Sequence, residues 1–176
     1  KATAIVISSD SAKFDAASAV INVPRIHPIV DFVLSTMAGH IFGYEAALAI
    51  DAQAKLMREA RAALDDALAP EYEDEEALFA AVRTTIQAPA AAIFNEVQSG
   101  ALNGHLELST AVKVVSLLRY ATGMLPLDAL EVETGRPTSP RLMVADLIAA
   151  LSAAIDELTR PIDAVKHQAK TVTVGI

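Results

Sequence analysis

The chain has 176 residues, a mass of 18.5 kDa, 53% hydrophobic residues and a net charge of −8. Its length suits one domain, or one domain with an appendage, that removes roughly 70% of its unfolded surface from water. The acidic balance, with a pI of about 4.9, argues against nucleic acid as a partner, and the lack of cysteine excludes disulfides, cysteine zinc sites and a thiol nucleophile.

Thr3 to Ser8 is a short apolar run closed by Ser8, Ser9, Asp10 and Ser11, the pattern of a buried parallel strand and its turn. Ala12 to Ala19 has room for a turn or two of helix, and Ala19 to Ile26 predicts a second strand with Pro24 near its end. His27-Pro28 predicts a helix start with proline at its first position. Ile29, Val33, Met37, Ile41, Tyr44 and Leu48 then form one apolar stripe at helical spacing. Gly39 and Gly43 lie within that helix and lower its propensity by about 1 kcal/mol each. The pattern continues to Ala69, too long for one ordinary helix, which predicts a bend or break near Asp51.

Pro70 to Glu76 reads as an acidic linker suited to the positive end of the next helix, in preference to a metal cluster. That helix is predicted from Glu75 to Val97, with Leu78, Val82, Ile86, Ile93 and Val97 inward and Pro89 kinking or splitting it. After Ser99-Gly100 and Asn103-Gly104, Ser109 or Thr110 is expected to cap a helix of Ala111 to Thr122, with Gly123 ending it. Leu125 to Pro137 reads as irregular, with one short turn around Asp128 to Val132. Ser139-Pro140 starts a helix through Met143, Leu147, Leu151, Ala154 and Leu158, and Pro161 restarts a short one reaching Gln168.

Few residues offer chemistry. The four histidines, His27, His40, His105 and His167, have no metal-ligand spacing: His27 reads as a cap or turn residue, His40 as partly buried and hydrogen-bonded, and His105 as a loop residue. No nucleophile-elbow or phosphate-cradling glycine motif is present. Arg136 and Arg141 offer an anion site with the free N–H groups of the Ser139 helix, although a surface turn is the plainer reading. No signal peptide is evident, no apolar run approaches the ~20 residues of a membrane span, and the expected location is cytoplasmic.

The C-terminal Ala169-Lys170-Thr171-Val172-Thr173-Val174 breaks the helical pattern, because alternating Thr and Val prefer extended backbone. On spacing alone Lys170 is a surface lysine closing a helix C-terminus. The tail nevertheless resembles the Ala-Lys-Ser-Val-Thr-Val-Glu ending of the isomerase half of the glucosamine-6-phosphate synthase family (glutamine–fructose-6-phosphate aminotransferases), with Gly175 where that family has its terminal Glu. Residues 3–51 resemble the final β-β-α portion of a sugar isomerase (SIS) domain, with Gly-Tyr-Glu-Ala-Ala-Leu-Ala at 43–49 on the helix.

The resemblance implies a mostly α chain in three parts. Residues 1–51 would be the C-terminal portion of a doubly wound parallel α/β SIS domain, 52–159 an all-α helical bundle insertion, and 160–176 the catalytic-type tail. It implies that Lys170 forms a Schiff base with an open-chain ketose phosphate resembling fructose 6-phosphate, in a homo-oligomer without a cofactor. A neutral lysine is needed for this, and Lys166 and His167 are the neighbouring groups able to lower its pKa. The family's phosphate-binding Ser/Thr loop, its catalytic Glu and its His-Gly-Pro histidine have no match here. The Cys glutaminase is also missing. The resemblance therefore implies an isolated stretch inactive by itself, within a larger isomerising aminotransferase. The alternative is a non-catalytic sugar-phosphate-binding or helical dimerisation module; a third reading is an independent all-α bundle with two decorative strands.

Overall fold

A computed structural model describes residues 4–9 and 14–159. They form a mostly helical structure with one small parallel sheet, in two compact units that part between Ile50 and Asp51.

In the first unit, β1 (Ile5–Ser8) pairs in parallel with β2 (Ala19–Asn22), with Ile5 opposite Ala19 and Ser8 opposite Asn22. β2 stops four residues short of Ile26. Helix α1 (Asp31–Gln53) follows. It starts three residues after Pro28, because the Asp31 carboxylate accepts hydrogen bonds from the backbone N–H groups of Ile26 (2.9 Å) and His27 (3.0 Å). Pro28 thus lies in the turn ahead of the helix rather than at its first position. The Nδ1 of His27 accepts the Ile29 N–H (3.2 Å), the local turn role read from the sequence.

α1 approaches the sheet at Gly39, and Leu34 and Ile50 are partly covered along with its small residues. A methyl group on Gly39 would sit 3.5 Å from the Cδ1 of Ile7, and Ser35, Ala38 and Ala46 on the same side are partly covered. The large residues Val33, Met37, Ile41, Tyr44 and Leu48 are exposed instead, and α1 has no buried residue. His40 is exposed as well, contrary to the expected partial burial, because it falls between these two sides.

The second unit is a bundle of α2 (Lys55–Leu68), α3 (Glu75–Ser99), α4 (Leu108–Ala121) and α6 (Pro140–Thr159), with the short α5 (Leu127–Thr134) between the last two. The predicted break near Asp51 falls at the fully buried Ala54. α3 and α6 each pack against the other three long helices. Leu78, Val82, Ile86 and Ile93 of α3 are buried as read from the sequence, and so are Met143, Leu147, Leu151, Ala154 and Leu158 of α6. Ala60, Ala67, Ala90, Ala150 and Ala154 occupy core positions, which lets the helices approach closely. On α4 the buried residues are Val114, Leu117, Leu118, Tyr120 and Ala121, and Val112 is exposed.

Pro89 does not split α3. A proline removes one helical donor, and buried Ile86, Ala90 and Ile93 hold the helix on both sides of it. The stretch read as irregular after Leu125 holds a helix of eight residues, α5, closed by Gly135.

Three helix N-termini in the bundle end on carboxylates. Asp74 accepts the Ala77 N–H (2.8 Å) and caps α3. The N-cap of α4 is Glu107, not Ser109 or Thr110. Its N–H donates to Glu157 Oε2 (3.0 Å) of α6, and the Thr110 hydroxyl donates to Glu157 Oε1 (2.6 Å). At the start of α6, Glu75 accepts from both the Arg141 N–H (3.1 Å) and Arg141 Nε (2.8 Å), while Ser139 Oγ accepts the Leu142 N–H (3.3 Å).

The C-terminus of α4 is closed from α3. The Thr122 carbonyl accepts from Arg83 Nε (3.2 Å) and Gln87 Nε2 (3.1 Å). Gly123, at φ 75°, follows with the Arg83 guanidinium directly against it, so a Cβ there would clash.

Two substitutions test this account by denaturant unfolding. Glu157→Ala should destabilise the bundle by about 1–2 kcal/mol, since it strips partners from the Glu107 N–H and the Thr110 hydroxyl. Gly123→Ala should cost more than about 1 kcal/mol, because both the positive φ and Arg83 oppose a side chain.

Candidate functional site

Lys170, the residue the sequence singles out, lies outside the described residues, as do Lys166, His167 and the whole tail from residue 160. The described residues that bear on a site are therefore those of the sheet, the bundle ends and the bundle surface.

At the sheet, the Ser8 carbonyl that ends β1 accepts the Val23 N–H (2.9 Å), which carries the parallel pairing one step past β2. Ser8 and Ser9 thus stand at the carboxyl end of a parallel strand, where open α/β sheets place their ligands. Asp10 and Ser11 of the same turn lie outside the described residues.

The anion site suggested for Arg136 and Arg141 does not form. Arg136 pairs with Asp146 (2.6 Å) and Arg141 with Glu75 (2.8 Å). The N–H group of Arg141 at the helix start is taken by the same Glu75 carboxylate. The acidic run 70–76 is likewise explained by capping, since Asp74 closes α3 and Glu75 closes α6. No group of three or more His, Asp or Glu residues able to hold a metal occurs among the described residues.

The bundle carries a cleft of about 360 Å³, the lower end of the size range of small-molecule sites. Leu56, Met57 and Leu102 give it apolar walls, with Lys55, Glu96 and His105 as its charged and imidazole groups. Lys55 pairs with Glu59 (3.7 Å), and the sequence reading placed His105 correctly in a loop. The cleft offers shape without a converging set of catalytic groups.

Tyr120 was not singled out by its sequence setting. Its side chain is fully buried on α4, and its hydroxyl has no hydrogen-bond partner of normal geometry among the described residues. Burial first, and then the Glu133 carboxylate, push the phenol above its ordinary pKa of 10.0.

By length and composition alone, α1 and α3 are each apolar enough to cross a membrane, with hydropathies of 1.2 and 1.3. For α3 that hydropathy serves the bundle core, whereas on α1 it is exposed. No family model matches the chain, and no curated protein or solved structure matches it either.

The raised Tyr120 pKa fixes a direction. A protonated phenol favoured in the folded state leaves stability intact below pH 10.0, the unfolded value, and lowers it as pH rises beyond that toward the folded pKa. Tyr120→Phe should therefore lose less stability than the parent chain above pH 10, as measured by melting temperature against pH, while at neutral pH it should melt no lower.

Proposed function

We propose that this chain is part of a sugar-phosphate isomerase or isomerising aminotransferase similar to glucosamine-6-phosphate synthase. In this reading Lys170 is the imine-forming residue, and the α2–α6 bundle is an insertion between the last helix of the SIS domain and the catalytic tail. The supporting observation is the local order of the first unit: two strands in parallel register, and then α1 laid on the sheet through Gly39. A crossover between parallel strands followed by a covering helix is how a doubly wound sheet is built.

The chemistry assigned to Lys170 is carbonyl addition. Its neutral amine attacks C2 of the open-chain ketose phosphate, water leaves, and an imine forms. Ammonia, the amino donor of such an aminotransferase, then displaces the lysine from C2 by imine exchange, and transfer of a proton from C1 to C2 of the new imine, with loss of the O1 proton, gives the 2-amino-2-deoxy aldose phosphate. The bundle's role is structural in this scheme, because its best-placed charged groups are already committed: Glu157 and Glu75 to helix N-termini, Arg83 to a helix C-terminus, and Arg136 to Asp146. The same commitment favours a second reading, a non-catalytic binding or dimerisation module in which the bundle only positions neighbouring parts.

Borohydride reduction in the presence of fructose 6-phosphate separates the two. In the protein's full-length context, the enzymatic reading expects a stable secondary-amine adduct on the peptide containing Lys170, absent from Lys170→Ala. Unchanged ligand affinity in Lys170→Ala with no trapped adduct would support the binding module.

A further inference from the structure

The cleft in the bundle has a preformed wall. It lies between the start of α2, the last turn of α3 and the loop that joins α3 to α4. Gly100, at φ 75°, turns the chain out of α3. The loop is then held by hydrogen bonds from the Asn103 N–H to the Gly100 carbonyl (3.0 Å) and from the His105 and Leu106 N–H groups to the Leu102 carbonyl (both 3.1 Å). Met57 is buried in the bundle core, and Leu56 and Leu102 pack against that core. The apolar part of the cleft is therefore fixed by the same contacts that hold the helices together.

The polar part of the cleft is unbalanced. Glu96 lines it from the last turn of α3, a turn with no basic residue, so its carboxylate stands at the negative end of a helix. Glu96 is partly buried, yet among the described residues its carboxylate has neither a hydrogen bond nor an ion pair. Asp74, Glu75 and Glu157, which also stand at helix ends, each meet a donor. Lys55, the cation of the cleft, pairs with Glu59 (3.7 Å) and not with Glu96.

We propose that this cleft binds a small molecule in which one ammonium group is joined to a short apolar body. The ammonium pairs with Glu96, where the carboxylate and the helix terminus both favour a cation, and the apolar body lies against Leu56, Met57 and Leu102. At about 360 Å³ the cleft has room for roughly a dozen non-hydrogen atoms, at the ~30 Å³ that a water takes in the liquid. Two sources share this chemistry, an aliphatic amine and an apolar α-amino acid. The amino acid would add a carboxylate for Lys55, which gives up only an exposed i,i+4 pair with Glu59 to receive it. Every residue of the cleft lies in the second compact unit, so the inference goes beyond the sugar-phosphate reading and does not rest on it.

Isothermal titration calorimetry of the 176-residue chain at neutral pH should detect binding of isoamylamine but not of isovalerate, which carries a carboxylate on the same branched body. Glu96→Gln should weaken the amine about tenfold or more, since a charge-assisted hydrogen bond is lost, while melting no lower than the parent chain. Ala101→Trp, at an exposed position of the cleft wall, should fill the cleft and abolish binding. Leucine that binds more tightly than isoamylamine, with the advantage lost in Lys55→Ala, identifies an amino acid as the ligand class. Leucine that binds no more tightly identifies a simple amine. The proposal is overturned if neither compound binds at millimolar concentration, if isovalerate binds as well as the amine, or if affinity survives Glu96→Gln or Ala101→Trp.

Discussion

The bundle depends on the apolar seams of α3 and α6, the two helices that touch each of the other long helices of the bundle. α6 alone buries seven residues, from Met143 to Leu158, and α3 buries five. Alanines at Ala90, Ala150 and Ala154 keep those seams shallow. A shallow seam brings backbones close, so each leucine or isoleucine beside it meets neighbours on several helices. Truncating one of them, such as Leu147, would remove both transfer free energy and contacts that close-packed neighbours cannot easily replace.

Close helices create a second requirement, because their ends come near one another with unpaired N–H and carbonyl groups. The chain meets it largely by exchange between helices. Glu157 of α6 serves the start of α4, Glu75 of α3 serves the start of α6, and Arg83 and Gln87 of α3 serve the end of α4. Each such contact joins segments distant in sequence, so the polar ends specify the same helix arrangement as the apolar seams. This also explains why charged groups that looked available for ligands are not: a carboxylate at a helix N-terminus is already in a favourable field. Tyr120 is the exception, a buried hydroxyl outside this exchange.

The first unit is organised differently. Its sheet has two strands, and its helix approaches them at Gly39. Large apolar side chains are left outward, where the bundle would have buried them.

The sequence by itself determined the helices and their inward faces wherever periodicity was strong, as in α3 and α6, because a 3.6-residue repeat of apolar residues has one way to leave water. It also placed a helix break near Asp51 and the capping by Ser139 and Gly123, which are local effects of a few adjacent residues. Only the tertiary structure decided the rest. The N-cap of α4 fell on Glu107, whose N–H is satisfied by a glutamate fifty residues away, and Arg136 and Arg141 were claimed by carboxylates. α1 approached the sheet at Gly39, while Val33, Met37, Ile41, Tyr44 and Leu48 of its clearest stripe stayed exposed. Periodicity reveals that a face is apolar, whereas which surface meets it depends on how closely two backbones can approach, and that distance exists only after the chain has folded.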